Sequence, residues 1–191
     1  MNSLQNIDTH FIFITGASGA GKTTVLKALE QELPFPLISF NFFDSIGIPP
    51  LEEMCRIYGS GEKWQELSTH KWVNNLVKIK SKKLIFLEGQ FNPMFAISHL
   101  KKIGIVHYSM FCLYADRRTR EERLMRLRNQ PELVNDDMEN WSNVLRKITH
   151  DVGGFIIDSS GAGANATAQK IINILENKLS VRLKIGSANK N

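Results

Sequence analysis

Eight consecutive residues carry the clearest chemistry in this chain. Gly16-Ala17-Ser18-Gly19-Ala20-Gly21-Lys22-Thr23 follows the pattern G-x-x-x-x-G-K-T. The three glycines let the backbone curl until several N–H groups point into one concave space, which suits phosphate oxygens. A helix beginning there aims its partial positive charge at the same point. Lys22 adds a full positive charge for the outer phosphates, and Thr23 offers a hydroxyl to a magnesium ion. The whole run from Gly16 to Thr24 is therefore read as the binding loop for a nucleoside triphosphate and Mg2+.

Such a loop needs a strand before it and a helix after it. Phe11 to Thr15 reads as a buried strand, and Val25, Leu26 and Leu29 recur at helical spacing behind the loop. Pro34 and Pro36 close that helix, and Leu37 to Phe43 reads as a second strand ending at Asp44. Leu51 to Tyr58 reads as a short helix and Glu62 to about Lys80 as a longer one. Lys78, Lys80, Lys82 and Lys83 mark the end of the longer helix. Leu84 to Leu87 is a third strand, 94 to 103 a helix and Ile105 to Ala115 a fourth strand. Asp116 to Arg128 reads as one helix, and Asp136 or Asp137 caps the next. Phe155 to Ile157 is a fifth strand, and Ala164 to Leu179 a closing helix. Alternating strands and helices predict a three-layer α/β/α fold with a five-stranded, mainly parallel sheet. Ligands bind outside the carboxyl ends of such strands. That gathers the glycine loop, Asp44, Glu88, the Asp116 helix and the Asp158 loop at one crevice.

Composition bounds the answer further. With 191 residues, 42% of them hydrophobic and 23% charged, the chain has the balance of one globular domain. We expect a polar lead-in over 1–10, the domain over 11–180 and a polar tail over 181–191. Cys55 and Cys112 are the only cysteines, with no metal-ligand spacing, which suits a cytoplasmic location. No leader or spanning segment is visible, so no membrane partner is expected. A net charge of +5 is compatible with anionic ligands. No basic aromatic stripe marks a nucleic-acid module, so nucleic acid is not expected as a partner.

On these residues the chain resembles the P-loop small-molecule and nucleoside monophosphate kinases, a group that includes the shikimate, gluconate and adenylate kinases. The shared features are the loop at 16–24, the Glu88-Gly89 pair ending the third strand, and the long apolar strand leading into an arginine-rich segment. The resemblance implies a P-loop fold with an acceptor lid near 45–80 and a nucleotide lid near 117–140. It implies that Asp44 orients or deprotonates an acceptor hydroxyl, with a turn cap as the plainer alternative. It places Glu88 near magnesium, directly or through water, where a carboxylate paired with lysine is the alternative. Gly89 would let an acceptor approach the backbone.

Arg117, Arg120, Arg123 and Arg126 recur every third residue. One or two of them would touch ATP, with Arg120 and Arg123 the central choices and Arg117 a further nucleotide contact; the others would pair with Glu121 and Glu122 in solvent. The Asp158-Ser159-Ser160-Gly161 loop would border the adenine or serve as a plain turn. Related nucleotide acceptors are usually met by a basic residue soon after an Asp-Gly pair. This chain has Glu88-Gly89-Gln90-Phe91-Asn92-Pro93, which points to a neutral acceptor at Gln90 and Asn92. The expected activity is transfer of the γ-phosphoryl group of Mg-ATP to a small acceptor by a monomer or homodimer. A regulatory nucleotide switch and a polynucleotide 5′-hydroxyl kinase are the rival readings.

Overall fold

Phe11, Ile12, Phe13 and Ile14 are all apolar because both faces of their strand are covered. The computed structural model describes residues 4–33 and 36–183. In it β1 (His10–Thr15) is buried at every position. Phe11 and Phe13 point into one core, and Ile12 and Ile14 into the other. Such an unbroken apolar run is the mark of a central parallel strand. β2 (Ile38–Phe42), β3 (Leu84–Glu88), β4 (Tyr108–Tyr114) and β5 (Phe155–Asp158) complete the sheet in the order β2-β3-β1-β4-β5. Every pairing is parallel. The register sets Ile14 opposite Glu88, so the acidic end of β3 lies beside the exit of β1.

α1 (Lys22–Glu32) and α7 (Ala164–Leu179) cover one face, through Leu26, Leu29, Ile171, Ile172 and Leu175. α2 (Leu51–Tyr58), α3 (Gly61–Leu76) and α4 (Pro93–Lys102) cover the other, through Met54, Trp64, Val73, Leu76 and Leu100. α5 (Arg117–Glu122) follows β4, and α6 (Asp136–Asp151) precedes β5. The expected three-layer α/β fold with a five-stranded sheet is the fold observed.

Several boundaries differ from the sequence reading for local reasons. α3 ends at Leu76 rather than near Lys80. Lys82 and Lys83 do not mark its end: their ammonium groups donate to the carbonyls of Pro36 and Ile7 and tie loops together. α6 is capped by Asn135, whose Oδ1 accepts from the Met138 N–H, and not by Asp136 or Asp137. α5 passes at Arg123–Arg128 into a wider, π-type turn, which ends at Asn129 with φ 50°. The core also reaches past the expected ends of the domain. Leu4 is buried, and so are Val181 and Leu183 in the segment expected to be a polar tail; residues 184–191 of that tail lie outside the described residues. His10 is buried against Ser109 at 2.8 Å, and burial lowers its pKa to about 4, so it is a neutral core residue. Among the described residues no helix is long and apolar enough to cross a membrane.

Candidate phosphoryl-transfer site

The loop between β1 and α1 takes its shape from positions only glycine tolerates. Gly16, Gly19 and Gly21 have φ of 146°, 81° and 87°. A Cβ on Gly16 would sit 2.3 Å from the Leu113 carbonyl oxygen, so β4 itself forbids a side chain there. Gly21 forms the left-handed step into α1, which brings Lys22 and Thr23 into the first turn.

Lys22 is buried, with its ammonium 3.2 Å from the Ala17 carbonyl oxygen. Burial pushes its pKa below the ordinary lysine value and Arg128 adds to the effect, while Glu88 and Asp44 oppose it. Glu88 is also buried, and burial pushes its pKa up against the pull of Lys22 and a hydrogen bond from Thr23. The Thr23 hydroxyl donates to Glu88 Oε1 at 3.0 Å. A hydroxyl and a carboxylate oxygen side by side are the hard donors Mg2+ takes. Among the described residues no three His, Cys, Asp or Glu side chains gather into a metal cage. That arrangement suits an ion that keeps waters and shares phosphate oxygens.

The structure brings Asp44 into the same field. It lies exposed on the short turn after β2, and its charge acts on both Lys22 and Glu88. Its carboxylate caps nothing among the described residues; only its backbone carbonyl serves the turn, accepting from Gly47. Gly89 has a different use from the one expected. A Cβ there would meet Phe43 Cβ at 2.3 Å, so the glycine admits the Phe43 ring and not an acceptor. Asn92 caps α4 by accepting from the Met94 N–H. Gln90 stays at the site, where its Oε1 accepts from the Ser18 hydroxyl of the glycine loop at 2.9 Å.

The four arginines spaced by threes go separate ways. Arg117 is exposed and pairs with Glu121 and Asp136. Arg120 is buried, donates to the Ala115 carbonyl and pairs with Glu139 of α6. Arg126 pairs with Glu122 in solvent. Arg120 packs its backbone and Cβ against Gly19, but of the four guanidinium groups only that of Arg123 bonds to the glycine loop, donating to the Gly19 carbonyl at 3.2 Å and to the Ser159 carbonyl at 2.8 Å. Ser159, in the loop after β5, is itself buried, its hydroxyl 3.0 Å from the Ala20 carbonyl oxygen. A cleft of about 350 Å³ opens here, lined by the glycine loop, Thr24, Arg123, Arg128, Ser159 and Thr167. Arg128 escaped the sequence reading because the spacing by threes assumes one uniform helix, and the wider turn at Arg123–Arg128 redirects its last residues.

A second cleft of about 400 Å³ lies between α3, Gln90 and the start of α6. Trp64 and Trp141 form part of its walls. Gln65 fixes its base, donating to the Gln90 carbonyl at 3.1 Å and accepting from the Asn92 N–H at 2.9 Å. In sequence both tryptophans read as core from their helical spacing, with an acceptor-pocket wall as the alternative for Trp64 in the 46–72 segment; the structure buries Trp64 in the core and also puts it on the cleft wall.

No protein-family model matches the chain, and no curated protein is recognisably related to it in sequence. Solved structures do match. A shikimate kinase from Acinetobacter baumannii in complex with shikimate superposes with a TM-score of 0.62 at 23% identity, over 90% of this chain and 96% of that one. A tunicamycin resistance protein from Deinococcus radiodurans gives 0.61 at 21% identity, over 93% and 99%. A shikimate kinase from Aquifex aeolicus gives 0.58 at 16% identity, over 89% and 98%. With its all-parallel sheet, glycine loop and flanking clefts, the chain has the P-loop kinase-like fold shared by these proteins.

Proposed function

We propose that the protein transfers the γ-phosphoryl group of Mg-ATP to a hydroxyl of a small molecule. The observation that carries this reading is the cluster at the loop mouth: buried Lys22, with the Thr23 hydroxyl 3.0 Å from Glu88, in a glycine loop that lines one cleft and is tied through Ser18 to Gln90 on the wall of a second. One cleft takes the nucleoside, and the other takes the acceptor.

In the reaction, the acceptor oxygen bonds to the γ-phosphorus as the bond to the β-bridging oxygen breaks. ADP leaves with that electron pair. Asp44 orients the hydroxyl and takes its proton. Lys22 and the loop N–H groups hold the phosphate oxygens, and Arg123 and Arg128 supply charge on the nucleotide side. Thr23 and Glu88 would hold Mg2+, which supplies charge neutralisation at the phosphates. Arg117 and Arg120 serve as struts between α5 and α6 and not as phosphate ligands. A cytoplasmic location completes the reading.

A coupled ADP-release assay tests it, with Mg-ATP, a panel of nucleosides, nucleotides, sugars, sugar acids, shikimate and aminoglycosides, and Lys22→Ala as control. Turnover raised by one acceptor class and lost in the variant supports the kinase. Slow hydrolysis that no acceptor stimulates favours a nucleotide switch.

A further inference from the structure

The cleft lined by the glycine loop and the cleft joined to it through Gln90 differ in charge. The nucleoside cleft carries Arg123 and Arg128. The described residues lining the second cleft include no lysine, arginine or histidine, and one carboxylate, Asp137. That carboxylate is exposed and has no ion-pair partner among the described residues. The two arginines that reach the start of α6 are already committed, Arg117 to Asp136 and Arg120 to Glu139. An anionic ligand seated here would lose water and gain no cation, a balance that disfavours binding.

The remaining surface is selective in the opposite sense. Trp141 and Met138, both half-buried, and the nearly buried Trp64 and Met54 give it aromatic and thioether walls. Flat or ring-shaped molecules bury area well against such walls. Polar capacity is scarce because much of it is already used. The Gln65 amide is spent on Gln90 and Asn92, and the Asn135 amide on Met138 and Glu132. The Gln90 side-chain Oε1 accepts from the Ser18 hydroxyl, leaving the side-chain NH2 group as a donor at the junction with the phosphate loop. A neutral alcohol oxygen satisfies that donor, and an amine satisfies Asp137 while stacking on indole.

We propose that this cleft takes a ring-bearing alcohol with no carboxylate or phosphate of its own, either neutral or bearing an amine placed beside Asp137. The proposal rests on the kinase reading above for the ligand's role as phosphoryl acceptor. It departs from the likeness to a structure holding shikimate, a carboxylate, because the fold is shared and the charge of this cleft is the chain's own.

Pairs alike in ring skeleton but different in charge test it: shikimate against its methyl ester, uridine against its 5′-monophosphate, and glucuronate against glucosamine. Binding to the full chain is read from tryptophan emission, since Trp64 and Trp141 line the cleft, and ADP release is followed in parallel. The expected result is that the non-anionic member of at least one pair binds about tenfold tighter or better than its anionic partner. Asp137→Asn is expected to weaken an amine-bearing ligand about fivefold and leave a neutral one unchanged. Equal or tighter binding of the anionic members overturns the proposal, as does a panel in which nothing binds at millimolar concentration. The two readings fail separately. Non-anionic binding without acceptor-dependent ADP release sinks the kinase and keeps the ligand class. ADP release driven by an anionic member does the reverse.

Discussion

The two sides of the glycine loop are built by different means. The proposed nucleotide side comes from one contiguous stretch, Gly16 to Thr24, closed over by Arg123 and Ser159. Backbone geometry makes it, and three glycines with positive φ leave it little freedom. The proposed acceptor side is assembled from α2, α3, the loop after β3 and the start of α6, through side chains far apart in sequence. Cations gather on the first side and are absent among the described residues lining the second. One side of a transfer site can therefore be set by a motif and remain constant in chemistry. The other is free to change its ligand by changing a few side chains on the same frame.

The largest test of this division is Lys22→Ala. Turnover should fall about a thousandfold, as expected for removing a buried charge aimed at the moving phosphoryl group. Acceptor binding, read from tryptophan emission, should stay as it was. A parallel loss of both would mean that the two sides are not separable.

Arg120→Ala should act on stability and not on chemistry. Removing a buried guanidinium that pairs with Glu139 should cost about 3 kcal/mol in urea unfolding. The nucleotide KM of the folded fraction should not move. A changed nucleotide KM with unchanged stability would return Arg120 to the phosphate site.

Glu88→Gln keeps the shape beside Thr23 and removes the charge. Turnover should fall about a hundredfold, and the magnesium concentration for half-maximal rate should rise. An unaltered magnesium dependence would remove Glu88 from the metal.

The smallest effects form a mirrored pair. Arg123→Ala should raise the ATP KM about tenfold and leave the acceptor KM alone, because Arg123 touches only the glycine loop and Ser159. Trp141→Ala should raise the acceptor KM by a similar factor and leave ATP alone. Steady-state kinetics with both substrates varied separates them. Crossed effects would show that the clefts communicate.

The positions of Asp44, Gly89 and the arginines show where sequence reading stops. Asp44 and Glu88 were legible because parallel strands end on one edge, and ligands gather there. Gly89 was legible as a constrained position but not for its reason, since Phe43 reaches it from another strand's end. The arginine spacing was legible as one face of a helix, and the π-type turn at Arg123–Arg128 spoils that periodicity without a signature in residue type.

By itself the sequence determined the parallel α/β sheet, the glycine loop between the first strand and the first helix, and the arrival of Glu88 at the sheet edge beside that loop. These rest on local backbone needs and on apolar runs, which neighbouring residues declare. Tertiary structure alone decided that Arg123 and not Arg120 faces the loop, that Ser159 closes the nucleotide cleft, and that Trp64, Trp141 and Asp137 share the other. Those contacts join residues dozens of positions apart, and no local spacing records which distant side chain will arrive opposite another.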